Sequence, residues 1–155
     1  MKRLFLLACG LLAVTSLFAQ GKTRYPPVAL DTMTQFFSDD SWTESVSVIA
    51  LKQKDSTGEV TTFTKRGFYY AEVFKYNGTP AKRPKPAQVL KFYASAIKKQ
   101  KGKVIYQDAT RLDAQIPAEG WSYWINVAIM EDGRTKLIIL SDATPPVVDE
   151  VPVDG

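Results

Sequence analysis

Ser95-Ala96-Ile97-Lys98 has the S-x-x-K spacing in which a lysine amine can activate a serine hydroxyl. That chemistry needs the serine at a helix N-terminus, with S-D-N and K-T-G partners. Neither partner occurs here, and Ser95 falls mid-helix on the polar side of its pattern. A solvated helix face is therefore its expected role. Paired acids are the next candidates for acid–base work: Asp39 with Asp40, and Glu131 with Asp132. Adjacent residues on a strand point to opposite faces, and Asp132 precedes a glycine in a turn pattern. Neither pair is expected to act as a dyad. The chain has no histidine, and its single cysteine is Cys9. This removes Ser–His and Cys–His nucleophile pairs and the Cys/His zinc sites. No D-x-D-x-D-G calcium loop is present either. The expectation is a protein without catalytic residues, metal or cofactor.

Binding chemistry has better material. Lys82, Arg83 and Lys85 lie in a proline-rich loop that runs into a helix carrying Lys91, Lys98 and Lys99 on its outer side. Together these six form a candidate basic face for anionic lipid headgroups, lipopolysaccharide phosphates or an acidic protein partner. The competing reading is an ordinary solvated face. Trp42, Trp121 and Trp124, with seven tyrosines, are the material of a sugar-stacking platform or, more commonly, of a core. Trp121 and Trp124 have opposite parity on one strand, so at most one faces solvent.

These residues need elements to position them. Val89, Phe92, Tyr93, Ala96 and Ile97 fall on one apolar stripe, which predicts a helix over 87–101. Pro86 precedes it and Gly102 follows. Strands are expected at Ser45 to Lys52, Val60 to Lys65, Gly67 to Tyr76, Lys103 to Asp108 and Arg111 to Ile116. The last of these alternates with period two, so one face should be wet. Trp121 to Glu131 and Arg134 to Ser141 flank Asp132-Gly133, a type I′ hairpin signal. A two-residue loop would pair Val127 with Ile138, Ile125 with Leu140, Ala128 with Leu137 and Asn126 with Ile139. Both faces of that hairpin are apolar, which predicts a central, doubly covered position. The fold class is α+β: a mainly antiparallel sheet of about six strands with one main helix on a face.

Residues 1–19 have the three parts of a secretory signal peptide: basic Lys2 and Arg3, an apolar run from Leu4 to Val14, and Leu17-Phe18-Ala19 before Gln20. Cleavage between Ala19 and Gln20 is expected, with a periplasmic destination. Leu6-Leu7-Ala8-Cys9 also has the form of a lipobox, which would make Cys9 a lipidated N-terminus instead. Loss of residues 1–19 takes Lys2 and Arg3 away, so the formal net charge falls from +4 to +2. At that charge no nucleic-acid partner is expected. Residues 20–41 read as an N-terminal arm or a short helix around Asp31 to Phe37. Residues 42–143 read as the α+β domain, and 144–155 as a disordered, proline-rich acidic tail.

Several segments together resemble a module found ahead of OmpA-like peptidoglycan-binding domains in Gram-negative envelope proteins. They are Phe68-Tyr69-Tyr70, the run from Phe92 to Tyr106, Trp124-Ile125-Asn126-Val127, Asp132-Gly133 and Leu137-Ile138-Ile139. The resemblance spans about Phe68 to Ser141. It implies an envelope location and no catalytic residues. The OmpA-like domain itself is absent from this sequence, so peptidoglycan binding is not carried over. The expected function is an exported, non-enzymatic envelope interaction or binding module, with an envelope protein, lipid or polysaccharide as partner. The alternatives are a periplasmic carrier of an apolar ligand between sheet and helix, and a hydrolase that uses neither His nor Cys. Intact-mass measurement of the exported protein should give a chain beginning at Gln20; a diacylated start at Cys9 would make it a lipoprotein.

Overall fold

The computed structural model describes residue 28 and residues 30–143. The expected signal segment with Cys9, Ala19 and Gln20, the start of the arm and the tail 144–155 lie outside the described residues. Six strands form one antiparallel sheet: β1 (Phe36–Lys54), β2 (Val60–Tyr76), β3 (Lys103–Gln107), β4 (Arg111–Ala118), β5 (Trp121–Ile129) and β6 (Thr135–Ser141). Their spatial order is β1-β2-β6-β5-β4-β3. One helix, α1 (Pro86–Lys99), carries the chain from β2 to β3 at the far edge. With 57% of the described residues in strands and 15% in helix, a mainly-β description fits as well as α+β.

α1 begins where Pro86 occupies the first turn, and Gln88 Oε1 accepts the Lys85 backbone N–H at 2.8 Å. It ends in a Schellman arrangement. Gly102 N–H donates to Ile97 O at 2.9 Å and Lys101 N–H to Lys98 O at 2.9 Å. Lys101, not a glycine, takes the left-handed conformation there, with φ 60°. The buried stripe is Val89, Leu90, Tyr93, Ala96 and Ile97. Leu90 is fully buried, whereas Phe92 is half-buried, its ring edge-on to Tyr93 at 5.6 Å. Leu90 is one helical turn from Tyr93 and two from Ile97, so it takes the centre of the stripe and leaves Phe92 on its margin.

Of the two readings of the segment around Asp31 to Phe37, the short helix does not form. Phe36 N–H closes a turn onto Met33 O at 3.1 Å, and β1 begins at once. Leu30, Met33 and Phe36 pack against the helix-side core, so their spacing of three seats an irregular segment instead of a helix. The two strands expected between Val60 and Tyr76 are one continuous strand.

The β5–β6 hairpin is central, but its register differs by one residue from the expected one. The loop has three residues, Glu131 to Gly133. Gly133 N–H donates to Met130 O at 2.8 Å, and Met130 N–H to Arg134 O at 2.8 Å. Gly133 has φ 79°, so this is a type I turn closed by a left-handed glycine. Val127 therefore faces Leu137, Ile125 faces Ile139 and Asn126 faces Ile138. A one-residue slip exchanges the faces of a strand. Both faces of β6 are apolar, so its pattern cannot choose between the two registers.

β2 pairs with β6 only from Phe68 to Phe74. Beyond that point the β1–β2 hairpin runs past the end of β6 and folds over the second sheet face. The bend is at Gly67, where a Cβ would stand 2.0 Å from Ser141 O. The fold-over buries Ile49, Leu51, Tyr69, Ala71, Trp124 and Leu140, with Trp42, Phe63 and Ile105 packed at the side. It is fastened by Asp113, which is fully buried. Asp113 Oδ2 accepts the Lys52 backbone N–H at 2.9 Å and Arg111 Nε at 2.8 Å, and Oδ1 accepts Asn126 Nδ2 at 2.6 Å. Arg111 Nη2 also donates to Ala50 O at 2.7 Å. The polar face of β4 that was expected to be wet is thus covered by β1. Asp113→Ala strands Arg111 and Asn126 without their buried partner and should lower the unfolding free energy by about 3–5 kcal/mol. A denaturant titration reads this, and a loss below about 1 kcal/mol would mean that apolar packing alone holds β1 down.

Candidate functional site: a lysine-bearing helix face and a charged cavity

Both faces of the sheet are occupied, so functional groups must lie on the outside of α1, at the strand ends or in surface slots. On the helix, Lys91 and Lys98 are two turns apart and point away from the buried stripe. Among the described residues neither has an acidic partner. Lys99 lies to one side, and its Nζ pairs with Asp31 Oδ2 at 3.3 Å, both groups well exposed. Lys82 is in a single 3-10 turn (Pro80–Lys82), and Lys85 precedes α1; both are exposed.

Arg83 departs from this set. Its guanidinium lies against Gly133, within 2.7–2.8 Å of where a Cβ would be. It faces an open cavity of about 540 Å³ at the end of the sheet. Four separate stretches of chain supply charge there: Asp39 from β1, Lys75 from β2, Arg83 from the loop before α1, and Asp132 with Arg134 from the β5–β6 connection. Arg134 Nε donates to Asp132 Oδ2 at 2.7 Å and Nη1 to Asp39 Oδ2 at 3.0 Å. Asp132 Oδ1 also accepts the Arg134 backbone N–H at 3.0 Å. These bonds, the backbone one first, hold the Asp132 carboxyl below the ordinary aspartate range, with a contribution from nearby Arg83. The same carboxylates raise Arg134 further. Tyr76, Gly78 and Pro80 complete the wall.

A second slot, about 280 Å³, opens at the β1 bulge between Glu44 and Ser47, over Tyr69, Asn126 and Ile138. Arg111 also lines it and is already committed to Asp113 and Ala50.

The catalytic candidates are separated or engaged. Ser95 is exposed mid-helix, and its Oγ donates to Lys91 O at 2.9 Å, a backbone bond and not a lysine-activated hydroxyl. Asp39 and Asp132 both face Arg134. The tryptophans do not share a platform. Trp124 is buried, its Nε1 donating to Asp142 Oδ2 at 2.8 Å, with Phe63 edge-on and the Lys65 ammonium 4.5 Å above the ring. Trp42 is capped by Lys136 at 5.0 Å, and Trp121 stacks edge-on to Tyr123 at 4.3 Å. The Tyr70 and Tyr93 hydroxyls are pushed well above the ordinary tyrosine range, first by burial and then by Glu72, which accepts a hydrogen bond from Tyr70. Neither can act as a base near neutrality. Among the described residues no group of three acids converges as a metal site would require.

Compared with known proteins, the chain matches no family model and has no significant match among curated proteins.

The cavity has a pH signature. Because the folded-state value of Asp132 is depressed, its stabilising contribution is present above the unfolded-state value near pH 4 and is lost as pH falls through the folded one. Asp132→Asn should therefore lessen the loss of stability as pH falls below about pH 5 and leave the slope above about pH 6 unchanged. Thermal melts of both proteins across that range are the measurement.

Proposed function

We propose that this chain is an exported, non-enzymatic interaction module of the cell envelope that engages an anionic surface through the outer face of α1. The observation that carries this reading is the pair Lys91 and Lys98. They are uncompensated among the described residues and displayed on a helix whose other side is locked into the core. Two ammonium groups held on a rigid element lose little freedom on contact, and each contributes about 1 kcal/mol near an anionic bilayer. Lys82 and Lys85 extend the charge along the approach to the helix. Arg83 is withdrawn toward the hairpin turn, and Lys99 is partly neutralised by Asp31.

The resemblance of the segment from Phe68 to Ser141 to a Gram-negative envelope module supports the location, as does the signal-like N-terminus. We class the domain as α+β because α1 supplies five buried residues to the core. A carrier of apolar ligands needs space between α1 and the sheet, and Leu90, Tyr93 and Ile97 fill it. A hydrolase needs a carboxylate free to exchange protons, and the two acids of the large cavity are held by Arg134.

The wild-type chain should co-sediment at low salt with vesicles containing phosphatidylglycerol but not with neutral phosphatidylcholine vesicles. Retention should fall as salt rises, because screening shortens the reach of surface charges. Lys91→Glu combined with Lys98→Glu should weaken retention at least tenfold, with an unchanged circular dichroism spectrum. Equal retention of the two proteins would sink the proposal.

A further inference from the structure

We propose that the cavity at the β5–β6 turn is a binding site for a monocarboxylate attached to a flat apolar or aromatic body. The site is independent of the helix face. A purely structural ion-pair cluster would be complete with Arg134 between Asp39 and Asp132, each hydrogen-bonded at 3.0 Å or less. The cavity holds two further cations, Lys75 and Arg83. Among the described residues Lys75 has no acidic partner, and the Arg83 guanidinium makes no hydrogen bond or ion pair. Three cations face two carboxylates, which leaves one positive charge uncompensated. One residual charge matches a carboxylate better than a phosphate dianion, which would bring more negative charge than the cavity lacks.

The geometry adds to the charge count. Gly133 carries no side chain at the point where Arg83 approaches, so the guanidinium can come close to the turn backbone. A planar guanidinium whose donors are unengaged can present two parallel N–H groups to a carboxylate. Tyr76 and Pro80 form a wall without charge, and the Tyr76 ring is steadied by Phe36 at 5.5 Å and by its hydroxyl donating to Gln35 at 3.1 Å. At about 540 Å³ the cavity lies within the size range of small-molecule sites. The carboxylate would sit between Lys75 and Arg83, with the apolar body against Tyr76 and Pro80. A free organic acid and a peptide C-terminus share this chemistry.

The test uses the full exported chain, isotope-labelled, with phenylacetate and its neutral isostere phenylacetamide as probes. Phenylacetate should shift the backbone amide signals of Lys75, Gly78 and Gly133 saturably, and phenylacetamide should not. Lys75→Gln should weaken the phenylacetate Kd about tenfold, the effect of losing one charge-assisted hydrogen bond. Lys75→Arg should retain binding within about threefold of wild type, since the charge is kept. Gly-Gly-Phe and its C-terminal amide separate the sources. Tighter binding of the free tripeptide than of phenylacetate assigns the site to chain ends, and the reverse order assigns it to small acids. The proposal is overturned if the acid produces no saturable shift, if acid and amide act alike on the wild-type chain, or if Lys75→Gln binds as wild type does.

Discussion

Asp113 brings a carboxylate into a place with no exposure to water, and the rest of the molecule is arranged around satisfying it. Burying such a group costs several kcal/mol unless its oxygens are fully engaged. Here the donors come from three strands: the Lys52 backbone on β1, Arg111 on β4 and Asn126 on β5. Because one donor is the backbone of β1, the bond can form only when the β1–β2 hairpin lies over the second sheet face. That closure creates the second apolar core, around Leu51, Trp124 and Leu140. The first face is left for α1. A sheet that would otherwise need a partner on one side becomes self-sufficient.

With both faces consumed, the molecule can offer only its periphery. Charge there is sorted by position. The outer side of α1 carries lysines in the open, suited to broad and salt-sensitive attraction. The sheet end gathers arginines and aspartates from distant parts of the chain into a defined recess. Arg83 decides the division, because the missing side chain of Gly133 lets it turn toward the recess and away from the helix.

Much of the architecture was legible in the sequence. The stripe on α1 and the central apolar hairpin follow from local periodicity and turn chemistry, which depend on near neighbours. Three features were not legible, each for a physical reason. The register of β6 depends on whether Gly133 closes a two- or three-residue loop, and with apolar residues on both faces the pattern is silent. The burial of Asp113 follows from a contact 61 residues away, so an alternating strand read alone suggested a wet face. The recess joins Asp39, Lys75, Arg83, Asp132 and Arg134, whose positions in the chain carry no shared spacing. Of these, only the Asp-Gly-Arg turn left a local trace, and Arg83 was grouped with the helix lysines because it precedes them in sequence.

The same fold-over bears on the order in which the chain assembles. The meander of β4, β5 and β6 is built from short-range hairpins, contacts that close quickly because little chain must be ordered first. Docking of β1 on β4 joins residues 61 apart and gains its hydrogen bonds only after both strands and Asn126 are in place. Topology therefore favours a nucleus in the meander, with the hairpin latching on last. In reverse, thermal or chemical stress acts first on that latch. Its release bares the ring of Trp124, now under Phe63 and Lys65, and so gives the earliest step of unfolding an intrinsic fluorescent reporter.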